Sequence, residues 1–471
     1  MLVFGATLEE VEQARDSVIY LLKNLGFVIN YKKSILTPTQ IIEFLGVLID
    51  SLKMTMSIPL KKANKLKALC QHTLMVKTIT VKELSSVIGK LNATSPAFTH
   101  AQLQIRYLQR ALIKAETTTY KDKVYLNKKA RLELKWWLKN IHLMNGKPIT
   151  INPPDMTIAS DAAKTGGWGA ECHGQETGGP WNREEMDLHI NELEGLAAKN
   201  AILTFTKLVK PSVLHLKIDN MTALKYLAKM GGTQNEYLID IAKEVHTYLA
   251  SKKITLTLEY IPSKLNIRPD WQSRNWKDSS EWMLNHSFFL KICKAFGTPQ
   301  IDLFASRTSH QLKDYYSWRP DPHSRATNAL CQNWTYKYLY AFPPFCLIGQ
   351  CLQKTIKHQN RLIIITPVLT TSPWYPLLLE MCIKAPILLP QQQNILLNPK
   401  GETHPLIRNS TLRLAAWLIS GKTAEQINFQ EQLTNFSLHP DQKELEKITS
   451  QTGKSLHAGA VKGKLIPFRV I

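Results

Sequence analysis

Short β-prone runs occupy residues 156–163 and 166–173, and Thr165-Gly166-Gly167 between them predicts a tight turn. Leu193, Leu196, Ala197 and Ile202 instead recur at helical spacing. They predict a helix over 192–205 with Glu194 in its first turn. The run VLHLKI at 213–218 reads as a strand ending at Asp219, and Asn220 is placed to cap the helix MTALKYLAKM. A second helical stretch follows around 236–251, then the strand ITLTLEYI at 254–261. Asp270 comes next, on a loop or at a helix start. The order β-β-(β)-α-β-α-α-β-α is that of a mixed α/β layer.

The flanks have other patterns. Val11, Ala14, Val18, Leu21 and Leu25 repeat at helical spacing after an opening that starts like a strand, and two short β-prone runs surround Pro38. In LKKANKLKALC, Ala63, Leu66 and Cys70 form an apolar stripe while Lys61, Lys62 and Lys65 lie on another face. Trp136-Trp137 reads as core rather than as a base-stacking platform. Beyond Arg274 the chain turns Trp- and Pro-rich. There IDLFAS (301–306) reads as a strand ending in an acid, YAFPPF (340–345) as a strand before a Pro-Pro turn, and 362–379 as a further buried strand.

Charge sharpens the picture. The chain carries +22, and residues 57–147 hold eighteen Lys and Arg against four Asp and Glu. A largely helical surface that basic suits phosphate contact, with Lys61, Lys62, Lys65, Arg106, Arg110, Lys128, Lys129 and Arg131 as the expected nucleic-acid-binding residues. At 471 residues and 44% hydrophobic, the chain is long enough for two or three cores. Its seven cysteines are an odd number with no CxxC pair, which argues against a disulfide framework and for an intracellular setting, nucleus or cytoplasm. An acidic helix follows the start, so no signal peptide is expected. The most apolar runs are broken by Pro343, Pro344, Pro367, Pro373 and Pro376, so no membrane partner is expected either.

The chemistry concentrates in four carboxylates. Asp161 sits in IASDAAKTGGWGA, Glu194 in INELEGLAA, Asp219 in LHLKIDNMTAL and Asp270 in YIPSKLNIRPDWQSR. Each lies where a strand meets a turn or a helix begins, so all four can converge on one end of a sheet. Acids gathered there repel one another unless cations lie between them, which points to a divalent metal site.

These motifs resemble the ribonuclease H domain of retrotransposon polyproteins. The resemblance implies hydrolysis of the RNA strand of RNA–DNA hybrids by two Mg²⁺ ions, with Mn²⁺ as an alternative. By motif, Asp161, Glu194, Asp219 and Asp270 would be both catalytic and metal-binding. The chain departs from the pattern in having Pro269 before the fourth acid and no histidine in 254–270. Upstream, Asn30, Lys33, Ser34, Phe44, Leu45 and Gly46 resemble the reverse-transcriptase palm just after its catalytic Asp-Asp pair, which is absent here, so no polymerase activity is expected. The stretch ELSSVIGKLNATSPAF resembles the thumb and connection.

Downstream, the pattern resembles the methyltransferase-like domain of DIRS-type retrotransposons. It implies cofactor contacts at Asp302, Phe342, Pro343, Pro344 and Phe345. Phe342 stands where that class carries Asp or Asn, and a phenyl ring accepts no hydrogen bond from a target amine. No glycine-rich cofactor loop is present, so S-adenosylmethionine chemistry is not expected. The order of resemblances gives an α/β multidomain chain. Its parts are a truncated palm (1–56), a basic thumb and connection region (57–150), a ribonuclease H-like mixed sheet with helices (151–280), a small methyltransferase-like α/β domain (281–420), and a linker toward an absent recombinase (421–471). The expected partners are RNA–DNA hybrid, other nucleic acid and the rest of the polyprotein. The alternative is a catalytically silent nucleic-acid-binding remnant.

Overall fold

A computed structural model of the chain describes residues 1–115, 119–149, 152–275, 281–433 and 457–470. It is a mixed α/β protein that divides into two compact units: Met1–Asp155 with Leu224–Thr257, and Met156–Ala223 with Leu258–Ile471. Among the described residues no helix is long and apolar enough to cross a membrane.

The first unit is mostly helical, as its period predicts. Helices Leu60–Met75, Val81–Asn92, Arg106–Lys114 and Lys128–Asn140 bury Ala63, Leu66, Cys70, Leu84, Leu91, Leu108 and Trp137 in one core. Thr80 and Glu83 close a capping box at the start of Val81–Asn92, satisfying backbone N–H groups that the first turn leaves free. Glu133 is buried and accepts from the backbone N–H of Tyr107 and Leu108, both at 3.0 Å, where an acid complements a helix N-terminus. Trp137 is fully buried against Phe98, edge to face at 5.3 Å, and its indole donates to Gln104 O at 3.0 Å. The tryptophan pair is therefore partly core, as its setting suggested.

The opening of the chain differs from expectation. Residues 1–6 form no strand, and of the two runs around Pro38 only the second is extended, as Ile41–Phe44 pairing antiparallel with Val47–Asp50. Helix Leu8–Asn24 is present at the predicted spacing but buries none of its residues.

The second unit contains two sheets. The first is five-stranded. Met156–Ala162, Gly167–Cys172 and Gln175–Pro180 run antiparallel in sequence, while Val213–Ile218 joins Met156–Ala162 in parallel and Thr255–Tyr260 lies outside it. Helix Ile190–Leu208 begins two residues earlier than predicted, because His189 and Glu192 build a capping box, so Glu194 lies in its second turn. The turn at Thr165-Gly166-Gly167 and the strand 213–218 fall where the sequence put them.

The second sheet has six strands in the order Ile301–Asp302, Tyr338–Ala341, Arg361–Pro367, Leu414–Ser420, Ile387–Leu388, Arg469–Val470. The first three are parallel and Leu414–Ser420 is antiparallel to its neighbours. Alternate side chains of the central strand enter different cores: Leu362 and Ile364 join Trp417 on one side, Ile363 and Ile365 join Leu418 on the other. Both faces are covered, which explains why this segment is a continuous apolar run.

The expected linker is corrected here. Helix Thr423–Glu431 follows the sheet, and residues 434–456 lie outside the described residues. Strands His457–Val461 and Lys464–Pro467 then form a hairpin that buries Ala458, Val461 and Ile466 in the core, and Arg469–Val470 pairs with Ile387–Leu388. Three buried apolar side chains anchor a tail whose overall composition is polar.

Candidate active site

Strand Met156–Ala162 carries Asp161 near its carboxyl end, and Asp219 follows the parallel neighbour Val213–Ile218. Parallel pairing brings these two ends to the same side of the sheet. Glu194 comes from helix Ile190–Leu208. Ligand oxygens of Asp161, Glu194 and Asp219 all lie within 4.8 Å of one another. Asn220 fixes this corner: its Oδ1 accepts from Ala223 N at 2.9 Å, capping the following helix as predicted, and its Nδ2 donates to Asn191 Oδ1 at 3.0 Å. Asn191 sits on the helix that carries Glu194, so one side chain ties the Asp219 loop to it.

Asp161 is 3% exposed and Glu194 5%. Ser273 Oγ donates to Asp161 Oδ2 at 2.5 Å, and Asn266 Nδ2 holds Ser160 O at 3.1 Å beside Asp161 Oδ1. Burial, with repulsion from Asp219 and Asp270, pushes Asp161 up to about 6 even though the Ser273 hydroxyl favours its charged form. Burial and the charges of Asp161 and Asp219 push Glu194 further, to about 9. Its Oε2 is buried with no hydrogen-bond partner. Three hard oxygen donors at this spacing, one of them orphaned and two reluctant to ionise, fit a divalent cation whose charge would relieve all of these costs.

Asp270 lies in helix Ile267–Arg274, next to the cluster but outside the group of three. Arg274 Nε donates to its Oδ1 at 2.6 Å. The residues that sequence reasoning missed are on this same helix or its lead-in: Ser273 and Asn266, which hold Asp161, and Arg274, which holds Asp270. Their spacing from Asp270 (three, four and four residues) is the available signal, since such positions share one helix face.

Gly169 makes the approach of this helix possible. A Cβ there would lie 2.2 Å from Pro269 O and 2.6 Å from Ser273 N, both backbone atoms. Gly169→Ala is expected to push the helix off the strand, costing about 1–3 kcal/mol and displacing Ser273 from Asp161. Thermal unfolding checks the first effect. An amide-exchange comparison localised to 266–274 checks the second.

The basic residues divide into two groups. Lys61, Lys65 and Lys128 are exposed. Lys62 donates to Gly46 O at 3.0 Å. The remaining four are engaged within their own unit. Arg106 holds the carbonyls of Lys229 and Met230. Arg110 holds those of Thr233 and Gln234, both at 2.7 Å, and pairs with Glu236 at 3.2 Å. Lys129 bridges Glu236 and Asp240 at 2.8 and 2.7 Å. Arg131 donates to Leu74 O and Val76 O, carbonyls at the end of helix Leu60–Met75 that the helix itself cannot satisfy.

In the second sheet, Asp302 is 1% exposed and accepts from Phe304 N at 3.2 Å and Gln311 N at 3.0 Å, while burial pushes it up to about 7. It organises a loop from beneath and does not line the neighbouring cavity, so its expected cofactor contact is corrected. Phe342, Pro343, Pro344 and Phe345 do line that cavity.

No protein family matches the sequence, and no curated protein does. Among solved structures, the chain is similar to a foamy viral protease-reverse transcriptase in complex with double-stranded DNA, at 16% identity over 54% of this chain and 44% of that one, with a TM-score of 0.28. It is similar to the same viral protein in complex with RNA/DNA hybrid at 16% identity, covering 60% of this chain and 37% of that one, with a TM-score of 0.28. Ribonuclease H1 from the halophilic archaeon Halobacterium salinarum NRC-1 is similar at 17% identity, over 24% of this chain and 91% of that one, with a TM-score of 0.21. The chain thus spans under half the length of those two viral structures.

Proposed function

We propose that this chain is a metal-dependent ribonuclease H-type nuclease that cuts the RNA strand of RNA–DNA hybrids, within a DIRS-type retroelement polyprotein arranged as the sequence resemblances order it. The observation that carries the reading is the buried convergence of Asp161, Glu194 and Asp219 at one end of a mixed sheet, with Asp270 alongside. Asp161, Glu194 and Asp219 would hold the metal. Oxygen-only donors favour Mg²⁺, with Mn²⁺ able to substitute. When bound, such ions lower the pKa of a coordinated water and neutralise charge building up on a phosphoryl oxygen.

The protein's own share is positioning. Ser273 and Asn266 fix the Asp161 carboxylate, and Asn220 fixes the Asp219 loop against the Glu194 helix. Lys61, Lys65 and Lys128 remain for phosphate contact, which predicts hybrid binding that weakens as salt rises. Discrimination for RNA would come from 2′-hydroxyl contacts.

A hybrid labelled on each strand in turn tests the reading. Cleavage confined to the labelled RNA supports it; equal cutting of both strands contradicts it. One observation favours a second reading, a catalytically silent nucleic-acid-binding remnant: the Arg274 guanidinium already engages Asp270. Under that reading hybrid binds in a salt-sensitive way and neither strand is cut.

A further inference from the structure

The second unit contains a cavity of about 550 Å³, within the range of small-molecule sites. Two of its lining segments, Leu303–Ser309 and Phe342–Leu347, directly follow the parallel strands Ile301–Asp302 and Tyr338–Ala341. It therefore opens outside the carboxyl ends of parallel strands, where α/β sheets take ligands. We infer that this cavity binds a nucleotide, with its base stacked on the aromatic wall and its phosphate held by the hydroxyls of Ser306, Thr308 and Ser309.

The phosphate half rests on a cradle that already holds an oxyanion. Ser306 Oγ, Thr308 Oγ1 (3.3 Å) and Ser309 Oγ (3.1 Å) all converge on one carboxylate oxygen of Glu281. The loop is set for this by its own backbone: Ser306 N donates to Ser309 Oγ at 2.9 Å and Thr308 N to Ser306 Oγ at 3.1 Å. Asp302 pins the loop from below, and Arg307 anchors it from the side through Glu185 and Pro180 O. Glu281 thus occupies the position of a phosphate oxygen. A phosphate brings more charge and more acceptor atoms to the same donors, so it can displace the carboxylate.

The base half rests on planar apolar surface. Phe304, Phe342, Phe345 and Trp282 line the cavity, and Trp318 stands at it 68% exposed, unusual for so large an apolar ring. Stacking on such rings tolerates any base. Trp168 lines the cavity as well, with Gly179 packed on its ring: a Cβ there would sit 2.9 Å from Nε1, so the wall at this point is held flat by a glycine. Phe342 offers no acceptor for a reacting amine, so the site is one of binding.

Binding is measured on the full chain by calorimetry, with tryptophan fluorescence as a second signal. The probes are a nucleoside 5′-monophosphate, its nucleoside, a 5′-phosphorylated single-stranded oligonucleotide and S-adenosylmethionine. The monophosphate is expected to saturate the site and to bind about tenfold more tightly than the nucleoside, on the scale of charge-assisted hydrogen bonds. Trp318→Ala should weaken it about tenfold and Trp318→Phe should restore it, as stacking predicts. Glu281→Ala should tighten it several-fold, because a competing anion has been removed; a Glu281 that merely braces the loop would give weakening instead, which contradicts the proposal. Binding of the oligonucleotide as well as the monophosphate identifies a strand as the source, and monophosphate alone identifies a free nucleotide. Equal binding of nucleoside and monophosphate, S-adenosylmethionine binding without the monophosphate, or no saturable binding overturns the proposal. It does not rest on the nuclease reading, so Asp161→Asn should leave these affinities unchanged.

Discussion

Asp161→Asn is expected to lower metal-dependent hybrid cleavage by at least about a thousandfold, the scale of losing one preorganised electrostatic group, while the protein stays folded. Asp161 has the most partners in the cluster: it shares ligand spacing with Glu194 and Asp219 and is held by Ser273 and Asn266. Asparagine keeps the shape and one oxygen but removes the charge that a cation needs. Lanthanide luminescence with Tb³⁺ as the probe should show the same loss, separating failed metal binding from failed chemistry. Full Tb³⁺ binding by the variant, with activity retained, would contradict the assignment of Asp161 as a ligand.

Glu194→Gln should make the metal-free protein more stable at pH 8. Folding raises the Glu194 pKa from the ordinary 4.5 to about 9, so the folded chain holds this proton more tightly than the unfolded one. Between those values folding takes up a proton, and stability therefore falls as pH rises from 4.5 toward 9. Asp161 adds a smaller fall from 3.8 toward about 6. Glutamine removes the Glu194 contribution, with a gain on the order of a few kcal/mol expected at pH 8 because the neutral amide takes up no proton on folding. Added Mg²⁺ should reverse the ranking by stabilising the wild type, about 2.7 kcal/mol at a hundred times its Kd. Thermal unfolding at pH 5 and pH 8, with and without Mg²⁺, checks both signs. A wild type whose metal-free stability rises across that window relative to the variant would contradict the burial argument.

Much of the five-stranded sheet was legible because its signals are local. The glycine turn at 165–167, the strand 213–218 and the Asn220 cap each depend on neighbouring residues, and all are where the sequence places them. Helix Ile190–Leu208 extends two residues beyond the start its apolar spacing predicts because histidine is an uncommon N-cap, and His189 caps it together with Glu192. The partners of the acids were not legible: Ser273 meets Asp161 only because Gly169 admits the helix, a contact between distant residues. Averaged composition does not show which basic residues have partners inside the fold. Arg106, Arg110, Lys129 and Arg131 belong to a strongly basic stretch, but each lies beside carbonyls or acids that only the fold brings to it. Two-residue strands such as Ile301–Asp302 and Arg469–Val470 are too short to show a period, which is why the polar tail looked like a linker.

The most direct test of the central claim is incubation of the full chain with labelled RNA–DNA hybrid, single-stranded RNA and duplex DNA, each with Mg²⁺ and with a chelator. The account predicts cutting of the hybrid alone, only with Mg²⁺, and none by Asp161→Asn. Tight hybrid binding without cleavage at any Mg²⁺ or Mn²⁺ concentration would contradict it, leaving the gathered carboxylates as a site without nuclease activity.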